Sequence, residues 1–156
     1  MKLTTKGRYA VTAMMDLALH AKIDCVSLVD VADRQSISLS YLEQLFRSLK
    51  KSGLVNSVRG AKGGYMLAKS DREISLADIL VAADEQINLA CGGSNCSDDN
   101  RCLTHGLWTN LSAQFYEFLD SKSLYDLVRS RDVQTMATMQ DVSQIGNIPV
   151  QISNEQ

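Results

Sequence analysis

The sequence predicts a mainly α-helical fold with a small β-hairpin wing, arranged as a winged helix-turn-helix plus a long dimerisation helix. Three observations carry this. Residues 27–51 read as two helices joined by a three-residue turn. Residues 54–67 hold two β-prone runs around a glycine-rich basic turn. Large apolar residues then recur at helical spacing between Leu107 and Leu119. The expected organisation is a winged helix-turn-helix over residues 1–70, a ligand-bearing loop and dimerisation helix over 71–132, and a disordered tail over 133–156.

Ala10, Ala13, Met14, Leu17, Ala18 and Ala21 follow an i, i+3, i+4, i+7, i+8 pattern, which is one apolar face of a first helix. Ser27, with Asp30 three positions on, marks the N-terminus of a second helix running through Gln35. Ser36-Ile37-Ser38 makes the turn, and a third helix spans roughly Leu39 to Lys51, ended by Gly53. At about 100° per residue, Leu39, Leu42, Leu45, Phe46 and Leu49 gather on one side of it. Ser40, Glu43, Gln44, Arg47 and Lys51 gather on the other. For an isolated helix that polar side would be a solvated face. After a short helix and a tight turn it is the geometry of a recognition helix. Gln44 then suits adenine, and Arg47 suits guanine or phosphate. Glu43 is useful there only by accepting from cytosine N4 or rejecting wrong sequences, unless it simply pairs with Arg47 four residues on.

Leu54 to Val58 and Tyr65 to Leu67 flank Arg59-Gly60-Ala61-Lys62-Gly63-Gly64, which reads as a hairpin with two cations at its tip. A basic tip beside a helix-turn-helix is a wing, able to enter a minor groove or hold phosphate. A nucleotide-cradling loop would need a strand-to-helix setting and a Lys-Ser/Thr ending, and this segment has neither. Ser75-Leu76-Ala77-Asp78 opens a further helix through about Glu85. Trp108, Leu111, Phe115, Phe118 and Leu119, widened by Leu107, make a stripe too large for one small domain to cover easily, so a dimer contact is expected. Ser123 to Arg129 reads as a short closing helix with Leu124, Leu127 and Val128 inward. From about Val133 the chain is polar and weakly periodic.

The net charge of −2 over 156 residues hides an asymmetry. Residues 1–70 hold eleven Lys and Arg against five Asp and Glu, while residues 71–156 hold five against thirteen. The first half is suited to a polyanion and the second is not. No apolar run is long enough to cross a membrane as a helix, and Asp16 and His20 interrupt the only stretch that could imitate a secretory signal. A cytoplasmic location without membrane association is expected, where four cysteines are more often ligands or thiols than disulfides.

Cys91, Cys96, Cys102 and His105 lie within fifteen residues, among Gly92, Gly93, Ser94, Asn95, Asp98, Asp99 and Asn100. Structural cysteines sit among apolar neighbours, whereas three thiols and an imidazole on a polar loop can wrap a soft metal centre. The spacing Cys-x4-Cys-x5-Cys-x2-His lacks the tight Cys-x2-Cys pair of most zinc fingers. Wide spacing suits a larger object, so zinc and an iron–sulfur cluster stand level, with a redox thiol cluster and a metal-free loop as further alternatives. A metal enzyme would need an open coordination position and a nearby base, and the other histidine, His20, is far away in the first helix. No catalytic residues are expected. Cys25 reads as an ordinary thiol outside the group.

Four segments carry a family resemblance. They are Met1-Lys2-Leu3-Thr4-Thr5-Lys6-Gly7-Arg8-Tyr9-Ala10, Ser38-Leu39-Ser40-Tyr41-Leu42-Glu43-Gln44-Leu45-Phe46, Arg59-Gly60-Ala61-Lys62-Gly63-Gly64-Tyr65, and Cys102-Leu103-Thr104-His105 running into Gly106-Leu107-Trp108. Over residues 1 to about 130 the chain closely resembles the iron–sulfur cluster assembly regulators, winged helix-turn-helix proteins that bind a cluster. The resemblance implies a homodimeric transcriptional regulator, acting as repressor or activator on promoter operators in double-stranded DNA. It implies one [2Fe–2S] cluster per subunit, held by Cys91, Cys96, Cys102 and His105 and delivered by the iron–sulfur assembly machinery. The first ligand spacer is one residue shorter than the family's pattern, a difference a glycine-rich loop absorbs. Lys6, Arg8, Ser38, Ser40, Tyr41, Glu43, Gln44, Arg47, Arg59, Gly60 and Lys62 are the expected DNA-binding residues. A zinc-stabilised DNA-binding regulator without cluster sensing is the alternative.

Overall fold

The computed structural model describes residues 3–21, 24–85 and 102–145. Its elements, in chain order, are α1 (Thr5–His20), α2 (Leu28–Gln35), α3 (Leu39–Lys51), β1 (Val55–Val58), β2 (Gly64–Leu67), α4 (Leu76–Ala82), α5 (His105–Asp120), α6 (Leu124–Val128) and α7 (Arg131–Ile145). The chain is mostly helical, with one two-stranded antiparallel hairpin among the described residues.

Each helix starts where the local chemistry allows. The backbone N–H groups of a first helical turn lack intrahelical acceptors, and a side-chain oxygen just outside supplies one. Ser27 accepts from the Asp30 amide at 3.1 Å and Ser38 from the Tyr41 amide at 3.4 Å. Ser75 with Asp78 and Ser123 with Asp126 form reciprocal capping boxes. Helix ends are equally local. Gly53 takes φ 73° after α3, so the Gly53 and Leu54 amides turn back onto the Lys50 and Leu49 carbonyls. Ser36 and Asp84 take the same left-handed conformation after α2 and α4 without being glycine.

The core is built around α1. Ala10, Ala13, Met14, Leu17 and Ala18 are buried on one face, and α1 packs on α2, α4, α6 and β2. Opposite lie Leu42, Leu45, Phe46 and Leu49 of α3, Val31, Leu54, Val55, Ile74 and Ile79. Fully burying a side chain such as Phe46 or Leu42 contributes about 1.5–3 kcal/mol. The Phe46 ring meets Tyr65 edge-on at 4.8 Å, which joins α3 to the wing. In the hairpin Val55 faces Leu67 and Val58 faces Gly64. Val26 adds a third line, its amide 2.9 Å from the Tyr65 carbonyl and its carbonyl accepting from Tyr65 at 2.8 Å. Ala77, Leu80 and Leu119 form a smaller cluster, against which Phe115 packs.

Asp16, which in sequence breaks the N-terminal apolar run, is 1% exposed and belongs to the interior. One expectation changes. The disorder expected from 133 gives way over 133–145 to α7, while residues 146–156 lie outside the described part. The reason is long-range and polar. Gln134 Nε2 donates to the Val128 carbonyl, Gln35 Nε2 donates to Gln140 at 3.0 Å, and His20 Nε2 lies 3.0 Å from Asp141. These bonds hold a helix that has no apolar stripe to announce it.

Candidate nucleic-acid interface and metal-ligand segment

The third helix presents the two faces expected of it. Ser40, Glu43, Gln44, Arg47 and Lys51 are exposed, and Leu42, Leu45, Phe46 and Leu49 are buried opposite them, while Leu39, expected on the buried side, is exposed at the first turn. Two of the predicted contacts also have structural duties. Ser38 is the N-cap of α3, so its oxygen accepts internally while its hydroxyl proton stays available to a ligand. Tyr41 is half-buried and edge-on to Tyr9 at 5.7 Å, which fixes the start of α3 against α1. Lys6 and Arg8 lie in the first turns of α1. Arg8 is exposed, and the Lys6 ammonium is 4.0 Å from Asp84.

The wing tip is exposed at Arg59, Gly60 and Lys62. Gly60 adopts φ 126°, a conformation that side chains with Cβ rarely take, and the Gly63 amide closes the turn onto the Gly60 carbonyl at 2.9 Å. At Gly64 a Cβ would stand 2.3 Å from the Val26 carbonyl oxygen, so the hairpin lies against the 25–27 segment as closely as backbones can. Cys25 adds to this contact, its thiol donating to the Lys62 carbonyl at 2.9 Å. A residue read as an ordinary thiol thus touches the backbone of the tip. Lys50 Nζ donates to Ser57 Oγ and ties the recognition helix to the same hairpin. α3 and the wing thereby form one cationic surface with a fixed frame.

α2, which precedes the recognition helix, is held by charge. Arg34 donates from Nη2 to Asp16 Oδ1 at 2.7 Å and from Nε to Oδ2 at 2.9 Å, while Gln35 Nε2 reaches Oδ2 at 2.7 Å. Burial raises the Asp16 pKa, but bonds from Arg34, His20 and Gln35 outweigh it and bring it down from 3.8 to about 2. No buried side-chain nitrogen or oxygen among the described residues lacks a partner. Sequence reasoning missed this network. Its signal was a carboxylate placed between Ala13 and Leu17 on an apolar face, because a charge there must find a cation.

Of the four predicted metal ligands, Cys91 and Cys96 lie outside the described residues. Cys102 is exposed and His105 is the first residue of α5, half-buried. The His105 amide bonds the Cys102 carbonyl at 3.0 Å, closing a turn that brings the two residues together. Thr104 Oγ1 accepts from the Trp108 indole at 3.1 Å rather than capping the helix. A helix N-terminus carries partial positive charge, which favours thiolate ligands and an anionic cluster. A soft thiol and an imidazole at this place fit either a [2Fe–2S] cluster or zinc as a donor set.

Beyond Cys102 and His105, α5 divides its apolar residues. Leu119 is buried and Phe115 half-buried against α4, while Leu107, Trp108, Leu111 and Phe118 are exposed. No helix among the described residues is long and apolar enough to cross a membrane.

Residues 3–130 match the Rrf2 family model, whose description is iron-dependent transcriptional regulator. The HTH-type transcriptional regulator IscR of Photorhabdus laumondii is 52% identical over 143 residues, covering 90% of this chain and 87% of that protein. Among solved structures, T. potens IscR is 42% identical with a TM-score of 0.68, covering 83% of this chain and 87% of its own. CymR, the global cysteine regulator of B. subtilis, is 35% identical with a TM-score of 0.70, covering 81% and 95%. The family match runs from α1 through α6 and so spans both the winged helix and the helices that follow it.

Proposed function

The chain belongs to the Rrf2 family of iron-dependent transcriptional regulators, and from that premise we propose that it is a homodimeric sensor of iron–sulfur status acting on promoter DNA. Each subunit holds one [2Fe–2S] cluster through Cys91, Cys96, Cys102 and His105, received from the iron–sulfur assembly machinery. The observation that carries this reading is the position of Cys102 and His105. They sit at the mouth of α5, whose exposed Leu107, Trp108, Leu111 and Phe118 form the face a second copy would cover. A ligand set placed there acts on the dimer helix directly.

On DNA, α3 enters the major groove. Gln44 reads adenine through its amide, Arg47 takes guanine or phosphate, and Ser38, Ser40 and Tyr41 reach bases or nearby phosphates. Glu43 accepts from cytosine N4 and is repelled by sequences that place phosphate or acceptors before it. Arg59 enters the minor groove, with Gly60 and Lys62 beside the backbone, and Lys6 and Arg8 hold flanking phosphates. A cluster held by three thiolates and one imidazole supplies a redox centre less anionic than an all-thiolate one, which raises its potential. The state of the site at Cys102 and His105 is then coupled to the start of α5, and through the dimer to the spacing of the two recognition helices.

Anaerobic purification followed by visible absorption, iron and acid-labile sulfide analysis tests the ligand assignment. The expected result is iron and sulfide in equal amounts, lost in a Cys102→Ala variant. Stoichiometric zinc without sulfide establishes the zinc-stabilised alternative. Loaded and empty protein of equal affinity across a panel of duplexes would sink the sensing role.

A further inference from the structure

α4 delivers one carboxylate to the start of α1. After Ala82 the chain turns through Asp84, at φ 58°, with the Asp84 amide on the Val81 carbonyl and the Glu85 amide on the Leu80 carbonyl, both at 2.9 Å. This turn fixes the Glu85 backbone to α4, which is itself buried through Ala77, Ile79, Leu80 and Ala82. The Glu85 side chain then crosses to α1. The Thr4 amide donates to Oε1 at 3.0 Å and the Thr4 hydroxyl donates to Oε2. Thr4 is the N-cap of α1, accepting in turn from the Gly7 amide at 3.2 Å. Gly7 makes room for the carboxylate, since a Cβ on it would lie 2.7 Å from Glu85 Oε2. An anion at this position also meets the positive end of the helix, and the Thr4 bonds hold Glu85 below the usual carboxylate range.

Two neighbours give the contact its meaning. Lys6 and Arg8 lie on the turns that Thr4 and Gly7 begin, and the segment bearing Cys91 and Cys96 begins immediately after Glu85. We propose that Glu85 is a positioning residue, whose carboxylate clamps the first turn of α1 and so ties the placement of Lys6 and Arg8 on DNA to the state of the ligand-bearing segment. This rests on the DNA-binding and cluster-sensing reading above. The clamp is made of exposed bonds between the chain ends of two helices, so its release leaves the buried faces of α1 and α4 packed.

The test uses the full-length dimer, loaded and empty, with a duplex selected from a random library by the parent protein. Glu85→Gln removes the charge, and Gly7→Ala leaves Glu85 in place but pushes its carboxylate away with a residue well suited to a helix. Each variant is expected to bind loaded-state DNA about tenfold more weakly and to lower the slope of log affinity against log salt by the equivalent of about two phosphate contacts. The visible spectrum of the loaded protein should not change. The ratio of loaded to empty affinity should move toward one. In a Lys6→Ala/Arg8→Ala background, Glu85→Gln should add nothing further. Parent-like affinity and slope in both variants, with Lys6→Ala/Arg8→Ala impaired, would overturn the clamp and leave the DNA-binding reading intact. Weaker binding with an unchanged salt slope would overturn it too, because that is the mark of general destabilisation. A parent protein that selects no duplex would overturn the reading and the clamp together.

Discussion

Arg34 holds Asp16 from two sides, Nη2 2.7 Å from Oδ1 and Nε 2.9 Å from Oδ2, with the Arg34 side chain only 7% exposed and that of Asp16 fully buried. The pair joins the central helix α1 to α2, the helix that positions α3. Removing one member leaves the other charge inside without its partner. Asp16→Ala is therefore expected to cost about 3–5 kcal/mol in urea or thermal unfolding. The acid limb follows from the same bonds. A carboxyl held at about 2 in the folded chain, against the usual 3.8, contributes stability in full above about pH 4 that is lost as the pH falls toward 2. An Asp16→Asn variant should lack that part of the acid transition.

His20 predicts the opposite limb. Its Nδ1 lies 2.8 Å from the Asp16 carbonyl and 3.5 Å from Oδ1, its Nε2 lies 3.0 Å from Asp141, and Arg34 opposes its charge from across Asp16. Hydrogen bonding to the Asp16 side chain is the main cause that raises the imidazole above its usual 6.5. The stabilisation is present in full below 6.5 and is lost as pH rises through the raised value. Melting temperatures measured from pH 6 to 8 should fall in the parent and stay flatter in His20→Gln. Protection of α7 amides in hydrogen exchange should fall over the same interval, because Asp141 loses its charged partner.

Gly64→Ala should uncouple the wing from the rest of the molecule. The added methyl would meet the Val26 carbonyl oxygen at 2.3 Å, and the two chain segments that carry them are locked together by the Val26–Tyr65 bonds. A loss of more than about 2 kcal/mol is expected, of the size seen for overpacking against groups that cannot move. DNA affinity should fall further than stability alone accounts for, which titration of folded protein at low temperature would reveal.

The exposed face of α5 gives a prediction about assembly. A glutamate at Leu111 or Phe118 would place charge in the middle of the proposed subunit contact while leaving the buried Leu119 and Phe115 side untouched. Light scattering should report a dimer for the parent and a monomer for Leu111→Glu/Phe118→Glu. An unchanged dimer mass in the variant would remove α5 from the interface.

What the sequence made legible was local. Residues Leu39–Lys51 form the expected helix, and its end signal, Gly53, lies two residues beyond the last turn. The capped starts at Ser27, Ser75 and Ser123 are of the same kind. What stayed hidden was long-range and polar. Asp16 meets Arg34 eighteen residues later, and His20 meets Asp141 at a separation of 121 residues. α7 is held by such bonds and carries no apolar period that sequence could display. At the interface, periodicity located the outward face of α3, but not that Ser38 caps the helix or that Tyr41 packs on Tyr9. The link between Thr4 and Glu85 spans 81 residues and depends on a left-handed aspartate that no sequence rule foretells.

The hairpin is anchored by main-chain atoms at Val26, Lys62 and Tyr65 and by the missing side chain of Gly64. None of these anchors depends on the side chains of Arg59, Ala61 or Lys62. The tip is therefore an interchangeable cartridge in a fixed mount. Its side chains can be rewritten, by drift or by design, to suit a different groove width, and neither the fold nor the pose of the recognition helix need be renegotiated.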